Sequence, residues 1–485
     1  MAREYFSVSE STSLSDLKIG SKIHVIGVCG VAMAQLAILL SELGYQVSGS
    51  DKEFYEPMGS KLRSSNIKLF NGYHRVSITP DIDLAVIGNA VPYQNEEVQQ
   101  VESLKLKYSL FPKLLHDICI AGRRSVVVAG THGKSTTTSM IAVMLRGLGM
   151  HPSYFIGAAV AALPNSLMAD SNGKICVVEG DEYDSSFFAK VPKFSFYQPD
   201  IFIVTSIEFD HADIYKDLDA IKKVFIDRIR SLSKNSFVVC CIDDPVIRSQ
   251  LDAWRAAAQC KFITYGESPD SDYTVHLELE ASKMKIEIDT KQGKYQEILK
   301  LSGRHNALNT CAALIVANIV GADLKEALSH LASFEGARRR QEVRFDQGRI
   351  TVIDDFAHHP TAVRETLSGL KQAYPDRRMI AVFEPRSNTS RRKVFEVPYA
   401  EAFQSADLVV LSKVKARSID SDQDLLDVGE LALAITKQGV SAEAIDGVDS
   451  ITNHLANLVT AGDLVVIMSN GSFDGLIEKF LARLG

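Results

Sequence analysis

The sequence predicts an α/β protein that is divided into three domains. Its 485 residues amount to about three domains at roughly 150 residues each. Short runs rich in β-branched residues alternate along the chain with helical stretches, which is typical of parallel sheets covered by helices. Glycine turns directly follow two of these runs, at residues 27–30 and at Gly130. We place the domains at residues 1–119, 120–337 and 338–485.

Each predicted domain opens with a strand. In the first domain the apolar runs predict strands at 23–26, 46–48 and 84–87, and the apolar residues of 33–43 predict a helix that ends near Gly44. In the second domain strands are predicted at 125–128, 175–178 and 201–205, with a helix beginning near Thr136. In the third domain the predicted strands are 350–353, 379–383, 408–411 and 464–468.

Composition and charge exclude several classes of protein. The 53 Lys and Arg residues against 60 Asp and Glu leave a net charge of −7, so no basic surface is expected for a nucleic acid partner. No apolar run approaches the roughly 18 residues of a membrane span, and residues 1–22 lack the apolar region of a signal peptide. The seven cysteines form no C-x-x-C pair, which favours reduced, buried thiols. We therefore expect a cytoplasmic protein without membrane insertion, while the oligomeric state stays open.

A phosphate-binding loop is predicted between the first strand and the first helix of the second domain. Its residues are Gly130, Thr131, His132, Gly133, Lys134, Ser135 and Thr136. Glycines let successive N–H groups face an anion, and the helix N-terminus adds its dipole. In such loops the lysine contacts the β- and γ-phosphates of a nucleotide and the serine hydroxyl binds Mg²⁺. Val128 stands where the longer pattern has its first glycine, so the match is to the shorter form G-x-x-G-K-[ST]. The alternative is an ordinary glycine-rich turn.

Two polar clusters follow later strands of the same domain. They are the segment 179–184, with the sequence EGDEYD, and the segment 208–213, with the sequence EFDHAD. Carboxylates at the carboxyl end of a strand beside a phosphate loop are suited to hold Mg²⁺. Taken singly, the first cluster would be a solvated acidic turn and His211 a structural histidine. Three polar clusters at successive strand ends favour one shared site.

The N-terminal turn has only part of a dinucleotide-binding pattern. Gly27, Cys29 and Gly30 follow the first strand, and Asp51 lies 21 residues after Gly30, as a ribose-binding acid would. The pattern G-x-G-x-x-G is absent because Cys29 occupies the position of the second glycine. A nicotinamide dehydrogenase is therefore disfavoured. A nucleotide diphosphate at the helix N-terminus and a glycine turn without function both remain open.

Together these motifs resemble the Mur ligase family, the ATP-dependent amide-forming enzymes of peptidoglycan assembly. The resemblance extends from about Lys22 to the C-terminus and includes the segments 303–309 (GRHNALN), 334–340 (FEGARRR) and 354–361 (DDFAHHPT). It implies a Rossmann-like N-terminal domain that holds a UDP-sugar. It implies a central P-loop ATPase-like α/β domain that holds ATP and Mg²⁺, and a Rossmann-like C-terminal domain that brings in the amine.

The resemblance also implies a substrate. Phe225 stands 14 residues after His211, where members that add the second and later residues carry a carbamylated lysine, so the expected acceptor is UDP-N-acetylmuramate itself. The amine is then either L-alanine or the recycled tripeptide L-Ala-γ-D-Glu-meso-diaminopimelate. The segments 87–90, 179–184, 208–211, 383–389 and 468–473 resemble the tripeptide-adding members. Tripeptide ligation is therefore the expected function, and alanine ligation in peptidoglycan biosynthesis is the alternative.

Two departures from the family pattern are visible. Ser206 replaces the asparagine that is usual before Ile-Glu, a change expected to affect a substrate or metal contact. Residues 1–21 have no counterpart in the family.

Catalytic roles follow from the same resemblance. The expected catalytic residues are Lys134, Glu179, His211, Arg340 and His358. Lys134 would contact the β- and γ-phosphates and Arg340 the γ-phosphate. Ser135 and Glu179 would bind Mg²⁺, and His211 would belong to a second metal site. His358 or His359 would orient or deprotonate the amine, with a purely structural pair as the alternative.

Binding roles complete the predicted site. The nucleotide would contact the phosphate loop together with Asn306, Asn309, Arg340 and Asp355, the last either at the ribose or at the hinge between domains. The UDP-sugar would contact Gly27, Cys29, Gly30, Asp51, Asn89 and Ala90, and the peptide Arg386, Asn388, Ser469 and Asn470. Two other classes stay open, a phosphate-loop ATPase or kinase and a nucleotide-binding regulator. A bare ATPase would not need the first domain, Asn306 and Asn309, or the segment 354–359. A regulator would tolerate loss of the metal ligands, whereas Ser135, Glu179 and His211 are all present.

Overall fold

The computed structural model describes residues 5–280, 283–301, 303–347, 350–414 and 425–484, without the side chains of residues 279 and 280. Within these ranges the chain forms three large sheets that follow one another along the sequence, together with one short hairpin. The predicted α/β class is confirmed, since each large sheet is mainly parallel. The boundaries at 119/120 and 337/338 stay predictions and fall between consecutive sheets.

The first sheet is entirely parallel over its described strands. They are β1 (Lys22–Ile26), β2 (Gln46–Asp51), β3 (Lys68–Asn71), β4 (Leu84–Ile87) and β5 (Tyr108–Leu110). The helices are α1 (Val31–Glu42), α2 (Met58–Arg63), α3 (Glu96–Ser103) and α4 (Phe111–Leu115). The strand order β3-β2-β1-β4-β5 changes direction at β1. The turn after β1 therefore lies at the point where open parallel sheets bind ligands.

The central sheet is larger. Its strands are β6 (Arg124–Ala129), β7 (Ser153–Phe155), β8 (Leu167–Met168), β9 (Ile175–Gly180), β12 (Ile201–Val204), β13 (Phe237–Cys241), β14 (Lys261–Gly266), β15 (Tyr273–Glu280), β16 (Lys283–Thr290) and β17 (Gly293–Leu299), while β10 (Asp184–Ser186) and β11 (Ala189–Pro192) form a separate hairpin. The helices are α5 (Lys134–Gly147), α6 (Leu218–Arg230), α7 (Pro245–Ala257), α8 (Arg304–Val320) and α9 (Leu324–Ser329). The order is β17-β16-β15-β14-β13-β12-β6-β9-β7-β8.

The third sheet is parallel except for one edge strand. Its strands are β18 (Glu342–Gln347), β19 (Ile350–Asp355), β20 (Met379–Phe383), β21 (Leu408–Ser412), β22 (Ser441–Ile445) and β23 (Leu464–Met468), in the order β18-β19-β23-β20-β21-β22. The helices are α10 (Pro360–Ala373), α11 (Glu396–Ala402), α12 (Val428–Lys437), α13 (Val448–Leu458) and α14 (Leu476–Leu484). Alternate residues of β20 pack into two different apolar clusters, so both faces of this sheet are covered.

Neighbouring strands of the central sheet bring the predicted motifs together. Strand β6 pairs in parallel with β12 on one side and with β9 on the other. Because parallel strands end at the same edge of a sheet, the phosphate loop and the segments 179–184 and 205–213 meet there. Gly130, Glu179 and His211 are thereby placed in one region although up to 81 positions separate them in sequence.

The described N-terminal residues, which had no predicted role, tie the first domain to the central one. Phe6 is 4% exposed. Its ring centroid lies 4.8 Å from that of Tyr108, and 5.4 Å and 5.7 Å from those of Phe187 and Phe188 beside the β10–β11 hairpin. This aromatic cluster links the N-terminal segment to the hairpin that follows the acidic cluster.

Two expectations about class can be compared with the structure. In the part of the chain that the structure describes, no helix combines the length and hydrophobicity that crossing a bilayer would require. All seven cysteines are buried and unpaired, as expected of thiols that serve as small apolar side chains.

Candidate active site

The phosphate loop fits tightly between its neighbours. Gly130 and Gly133 have φ angles of +124° and +80°, a left-handed region that glycine adopts without strain. A Cβ atom on Gly130 would lie 2.3 Å from the Thr205 hydroxyl oxygen, and one on Gly133 would lie 2.7 Å from Asn309 Oδ1. Both glycines of the predicted motif are therefore required by conformation and by space.

Ser206, which follows β12, supports this loop. The N–H of Thr131 donates to the Ser206 carbonyl over 2.9 Å, and the N–H of His132 donates to the Ser206 hydroxyl oxygen over 3.0 Å. The departure from the family asparagine thus falls on a residue that holds the loop. Helix α5 begins at Lys134, so Ser135 and Thr136 lie in its first turn, where N–H groups have no partner within the helix.

Lys134 contacts a carboxylate that the sequence did not single out. Its Nζ donates to the Gly130 carbonyl over 2.6 Å and to Glu182 Oε2 over 2.8 Å. The other carboxylate oxygen of Glu182 accepts the N–H of Gly130 over 2.8 Å. Burial lowers the pKa of Lys134, but the charges of Glu182 and Asp181 outweigh it and raise the pKa above its ordinary value. The lysine is therefore a cation that an acidic group holds inside the loop.

Ser135 and Glu179, which the sequence predicts as Mg²⁺ ligands, lie near each other at the start of α5 and the end of β9. Glu179 is buried, its Oε1 accepts the N–H of Gly157 over 2.6 Å, and the Ser135 hydroxyl lowers the pKa of its carboxyl. Burial raises the pKa of the Glu179 carboxyl, although both of these groups oppose the change. A buried carboxylate beside a hydroxyl offers the oxygen ligands that Mg²⁺ prefers.

His211 belongs to a second group of possible ligands. Potential ligand atoms of His211, Asp181 and Glu182 all lie within 4.8 Å of one another. The N–H of His211, whose φ is +57°, donates to Asp210 Oδ1 over 2.6 Å and to the Thr389 hydroxyl of the third domain over 3.0 Å. Burial raises the pKa of Asp181, but Lys193 and Lys134 hold it well below its usual range. Asp181 and Glu182 were quoted within their cluster, but nothing in the sequence distinguished them from its other carboxylates.

Asn306 and Asn309 lie one turn apart on α8, behind the phosphate loop. Asn309 Oδ1 accepts the Thr137 hydroxyl over 3.0 Å and contacts Gly133. Both asparagines are buried, and Asn309 Nδ2 has no hydrogen-bond partner among the described residues. Asn309 thus supports the loop, and the predicted contact with nucleotide stays a prediction for both residues.

Arg340 and Asp355 lie where the chain enters the third domain. Asp355 accepts the N–H groups of Gln341 and Ala357, each over 2.7 Å. Of the two predicted roles of Asp355, these bonds support the one at the hinge. The Arg340 guanidinium lies 4.9 Å from the Phe356 ring centroid and interacts with the charges of Asp355 and Glu179. Arg340 therefore lies within electrostatic range of the buried carboxylate of Glu179.

His358 and His359 lie in different environments. His358 Nδ1 lies 2.9 Å from the Phe356 carbonyl oxygen, and burial lowers the pKa of His358. An imidazole that donates from Nδ1 keeps the lone pair of Nε2 available. His359 is the N-cap residue of α10, and its ring lies between Phe209 and Glu208.

The predicted UDP-sugar residues surround the turn after β1. Asp51 Oδ2 accepts the N–H of Cys29 over 2.8 Å, and the Cys29 side chain is fully buried. Only the backbone of Cys29 is therefore available near this surface. Gly27 is left-handed and Gly30 is the N-cap residue of α1, while Asn89 and Ala90 are exposed at the end of β4. Their contact with a sugar nucleotide remains a prediction.

The predicted peptide residues follow β20 and β23, which are parallel neighbours. Arg386 Nη1 lies 3.7 Å from Glu384 Oε1 and 3.8 Å from Asp474 Oδ1. The Ser469 hydroxyl donates to Glu384 Oε2 over 2.5 Å. Asn388 Nδ2 donates to Asp213 Oδ2 of the central domain over 2.8 Å. Asn470 lies next to Ser469, and its Oδ1 is buried without a hydrogen-bond partner among the described residues. Glu384 and Asp474 were not predicted as members of this group.

Comparison with known proteins identifies the family. The chain matches the Mur ligase family catalytic domain over residues 22–123, the Mur ligase middle domain over 128–317 and the Mur ligase glutamate ligase domain over 338–471. The UDP-N-acetylmuramate–L-alanyl-γ-D-glutamyl-meso-2,6-diaminoheptandioate ligase of Escherichia coli (strain K12) is 34% identical over 96% of this chain and 98% of its own. The chain belongs to the Mur ligase family. The predicted family is thus confirmed, and as a Mur ligase the chain is an ATP-dependent enzyme that forms amide bonds.

Other Mur ligases are similar at comparable levels. The UDP-N-acetylmuramate–L-alanine ligase of Clostridium kluyveri is 30% identical over 95% of this chain and 98% of its own. The crystal structure of a murein peptide ligase from Psychrobacter arcticus superposes with a TM-score of 0.72 at 30% identity, covering 96% of this chain and 99% of that one. Full-length similarity to these Mur ligases confirms the three-domain α/β architecture.

Proposed function

We propose that this Mur ligase joins L-Ala-γ-D-Glu-meso-diaminopimelate to UDP-N-acetylmuramate, with cleavage of ATP to ADP and phosphate, in peptidoglycan recycling. The E. coli relative is named for this reaction, and so is one from Haemophilus influenzae that is 32% identical over 95% of this chain and 99% of its own. Phe225 supports the assignment of UDP-N-acetylmuramate as the acceptor substrate. It is fully buried against Phe194 and Phe202, so this position holds an apolar ring instead of a carbamylated lysine.

The residues around Arg386 support the tripeptide, and not L-alanine, as the amine substrate. A guanidinium flanked by the carboxylates of Glu384 and Asp474 offers charges of both signs within one small region. The distal end of meso-diaminopimelate carries a carboxylate and an ammonium group, which such a region complements. L-Alanine has no second charged centre besides its reacting amine and its carboxylate. This observation favours tripeptide ligation over alanine ligation, which remains the second candidate.

Carboxylate activation is assigned to the phosphate loop. An oxygen of the lactyl carboxylate attacks the γ-phosphorus of ATP, ADP leaves, and an acyl phosphate forms. Lys134 binds the β- and γ-phosphates after exchanging its bond to Glu182 for bonds to phosphate oxygens. Arg340 approaches the γ-phosphate from the hinge. Such a transfer depends on alignment and on neutralisation of charge rather than on covalent chemistry of the protein.

The donor atoms present fit Mg²⁺ as the metal. We assign Ser135 and Glu179 to one ion, and His211 with Asp181 and Glu182 to a second site. These groups offer mostly oxygen ligands, which Mg²⁺ prefers. Bound Mg²⁺ would neutralise the charge that develops on the transferred phosphoryl group.

Amide formation needs an acceptor for the proton of the attacking amine. His358 is the candidate, because burial lowers its pKa and favours the neutral imidazole. The amine attacks the acyl carbon, its proton passes to His358 Nε2, and inorganic phosphate leaves from the tetrahedral intermediate. The acceptor nucleotide is assigned to the turn after β1, with Gly27, Gly30, Asn89 and Ala90 at its surface. We also propose that the reaction takes place in the cytoplasm, where buried free thiols stay reduced.

Replacing Arg386 with alanine tests the amine site. We expect the KM for the tripeptide to rise by about tenfold to a hundredfold, because a charge-assisted bond to a carboxylate contributes about 1.5–3 kcal/mol. The KM values for ATP and UDP-N-acetylmuramate should stay unchanged. Lys393→Ala is the matched control, since it removes an exposed positive charge from the same segment. Steady-state kinetics with tripeptide as the varied substrate measures the effect, and an unchanged tripeptide KM in Arg386→Ala would reject this pocket.

A further inference from the structure

Two histidines and a glutamate meet where the phosphate loop contacts the third domain. His132 Nε2 lies 3.1 Å from Glu208 Oε2, and His359 Nδ1 lies 3.2 Å from the same oxygen. The centroids of the two imidazole rings are 4.9 Å apart. The His359 side chain is 7% exposed, and those of His132 and Glu208 are 24% and 29% exposed. The proposed reaction assigns no metal ligand and no proton transfer to these three side chains.

Hydrogen bonds determine which nitrogen of His359 carries the proton. Its Nε2 lies 3.2 Å from the Phe209 carbonyl oxygen, which can only accept, so Nε2 carries the hydrogen. The N–H of Thr361 approaches His359 Nδ1 only to 3.4 Å, a long contact that a bound ion would replace. The atom of His359 that faces Glu208 is therefore a lone-pair nitrogen, directed at a carboxylate oxygen.

Two acceptors at 3.2 Å repel each other unless a cation lies between them. Potential ligand atoms of His132, Glu208 and His359 all lie within 4.8 Å of one another. A cation bound between them would meet both the lone pair of His359 Nδ1 and the carboxylate oxygen of Glu208.

We propose that a transition-metal ion of the Zn²⁺ class binds between His132 Nε2, Glu208 Oε2 and His359 Nδ1. With metal–ligand bonds of about 2.0–2.1 Å, neighbouring atoms of a tetrahedral site lie about 3.3 Å apart, close to the two spacings observed. The bond from His359 Nε2 to the Phe209 carbonyl is the supporting contact that metal-binding histidines usually make. Two imidazole ligands favour Zn²⁺-class ions over Mg²⁺.

This site differs from the other groups of possible ligands among the described residues. The group of Asp181, Glu182 and His211 has two carboxylates and belongs to the phosphoryl-transfer site. The group of His276, Glu287 and Asp289 lies on β15 and β16, and its Asp289 already pairs with Lys294 over 2.9 Å. The proposed ion would join the phosphate loop, the segment that follows β12 and the N-terminus of α10. It would thus hold the third domain against the nucleotide site.

Co²⁺ binding to the full chain tests the site. The protein is stripped with a chelator and titrated with Co²⁺ in excess Mg²⁺, which occupies the oxygen-rich sites, and the visible absorption of four-coordinate Co²⁺ is recorded. We expect one ion per chain, displaced by Zn²⁺. Glu208→Gln should weaken binding at least about tenfold, since it removes the charged ligand. The glutamine amide can donate to His359 Nδ1, so the metal-free variant should keep its unfolding midpoint.

Three other variants distinguish this site from its neighbours. His359→Gln should lose the Co²⁺ spectrum as Glu208→Gln does. His276→Gln and His211→Gln should keep it, because both histidines lie outside the proposed cluster. Absence of a four-coordinate spectrum in the unaltered protein would overturn the proposal. So would equal Co²⁺ affinity in the Glu208→Gln and unaltered proteins. Because the readout is binding, a failure here is separate from any failure of the ligase activity.

Discussion

Replacing Lys134 with alanine is expected to lower kcat for phosphate release by about a hundredfold to a thousandfold, the usual cost of losing one charge-stabilising donor at a reacting centre. Lys134 is the cation inside the phosphate loop, and the nearby acidic groups raise its pKa, so it stays charged when a nucleotide enters. Steady-state phosphate release with MgATP, UDP-N-acetylmuramate and tripeptide measures the effect.

Two controls separate chemistry from folding in this experiment. Loss of Lys134 leaves the buried carboxylate of Glu182 without its cation, which destabilises a fold by about 3–5 kcal/mol when no other partner is available. The double variant Lys134→Ala/Glu182→Gln should therefore recover the unfolding midpoint without recovering turnover. Lys190→Ala removes an exposed lysine paired with Asp184 over 2.7 Å, and it should stay within about twofold of the unaltered kcat, since exposed pairs contribute at most about 1 kcal/mol. Near-normal kcat in Lys134→Ala would refute the assignment.

Replacing Glu179 with glutamine is expected to lower kcat by about a hundredfold and to raise the Mg²⁺ concentration needed for half-maximal activity by at least about tenfold. The substitution keeps the size of the side chain and the carbonyl oxygen that accepts the N–H of Gly157, while it removes the negative charge beside Ser135. Initial rates measured over a range of Mg²⁺ concentrations at saturating substrates give both values.

The matched control is Glu326→Gln on α9. Its carboxylate is 61% exposed and lies 3.9 Å from His330, so the same chemical change occurs away from the phosphate loop. This control should show an unchanged dependence on Mg²⁺. If Glu179→Gln showed the same Mg²⁺ dependence as the control, Glu179 would not be a metal ligand.

The strands that the sequence predicted best are the fully buried ones. The predictions at 84–87, 379–383 and 464–468 agree with β4, β20 and β23 at both ends, because parallel strands covered on both faces are continuous apolar runs. Strands β15, β16 and β17 were missed. They form an antiparallel extension in which β16 alternates between exposed and buried residues, so no continuous apolar run marks them.

The candidate site was predictable only as far as it is local in sequence. The loop glycines and the pairing of Ser135 with Glu179 follow from a motif and from two adjacent strand ends. The bonds of Glu182 to the loop depend on which of several carboxylates turns inward, and the sequence pattern does not determine this. Contacts between domains are even harder to predict from the sequence. Asn388 and Asp213 are 175 residues apart, and they come into contact only because of the way the third domain packs against the central one. The same holds for Glu208 and His359.

The central claim is that ATP cleavage depends on both UDP-N-acetylmuramate and the tripeptide, and its most direct test is phosphate release by the purified protein. The assay contains MgATP and UDP-N-acetylmuramate, and it compares L-alanine with L-Ala-γ-D-Glu-meso-diaminopimelate as the amine. We predict release with the tripeptide, no release above background with L-alanine, and no release when UDP-N-acetylmuramate is omitted. Release with L-alanine alone would contradict the assignment and support the alanine ligase, and release without either substrate would indicate a simple ATPase.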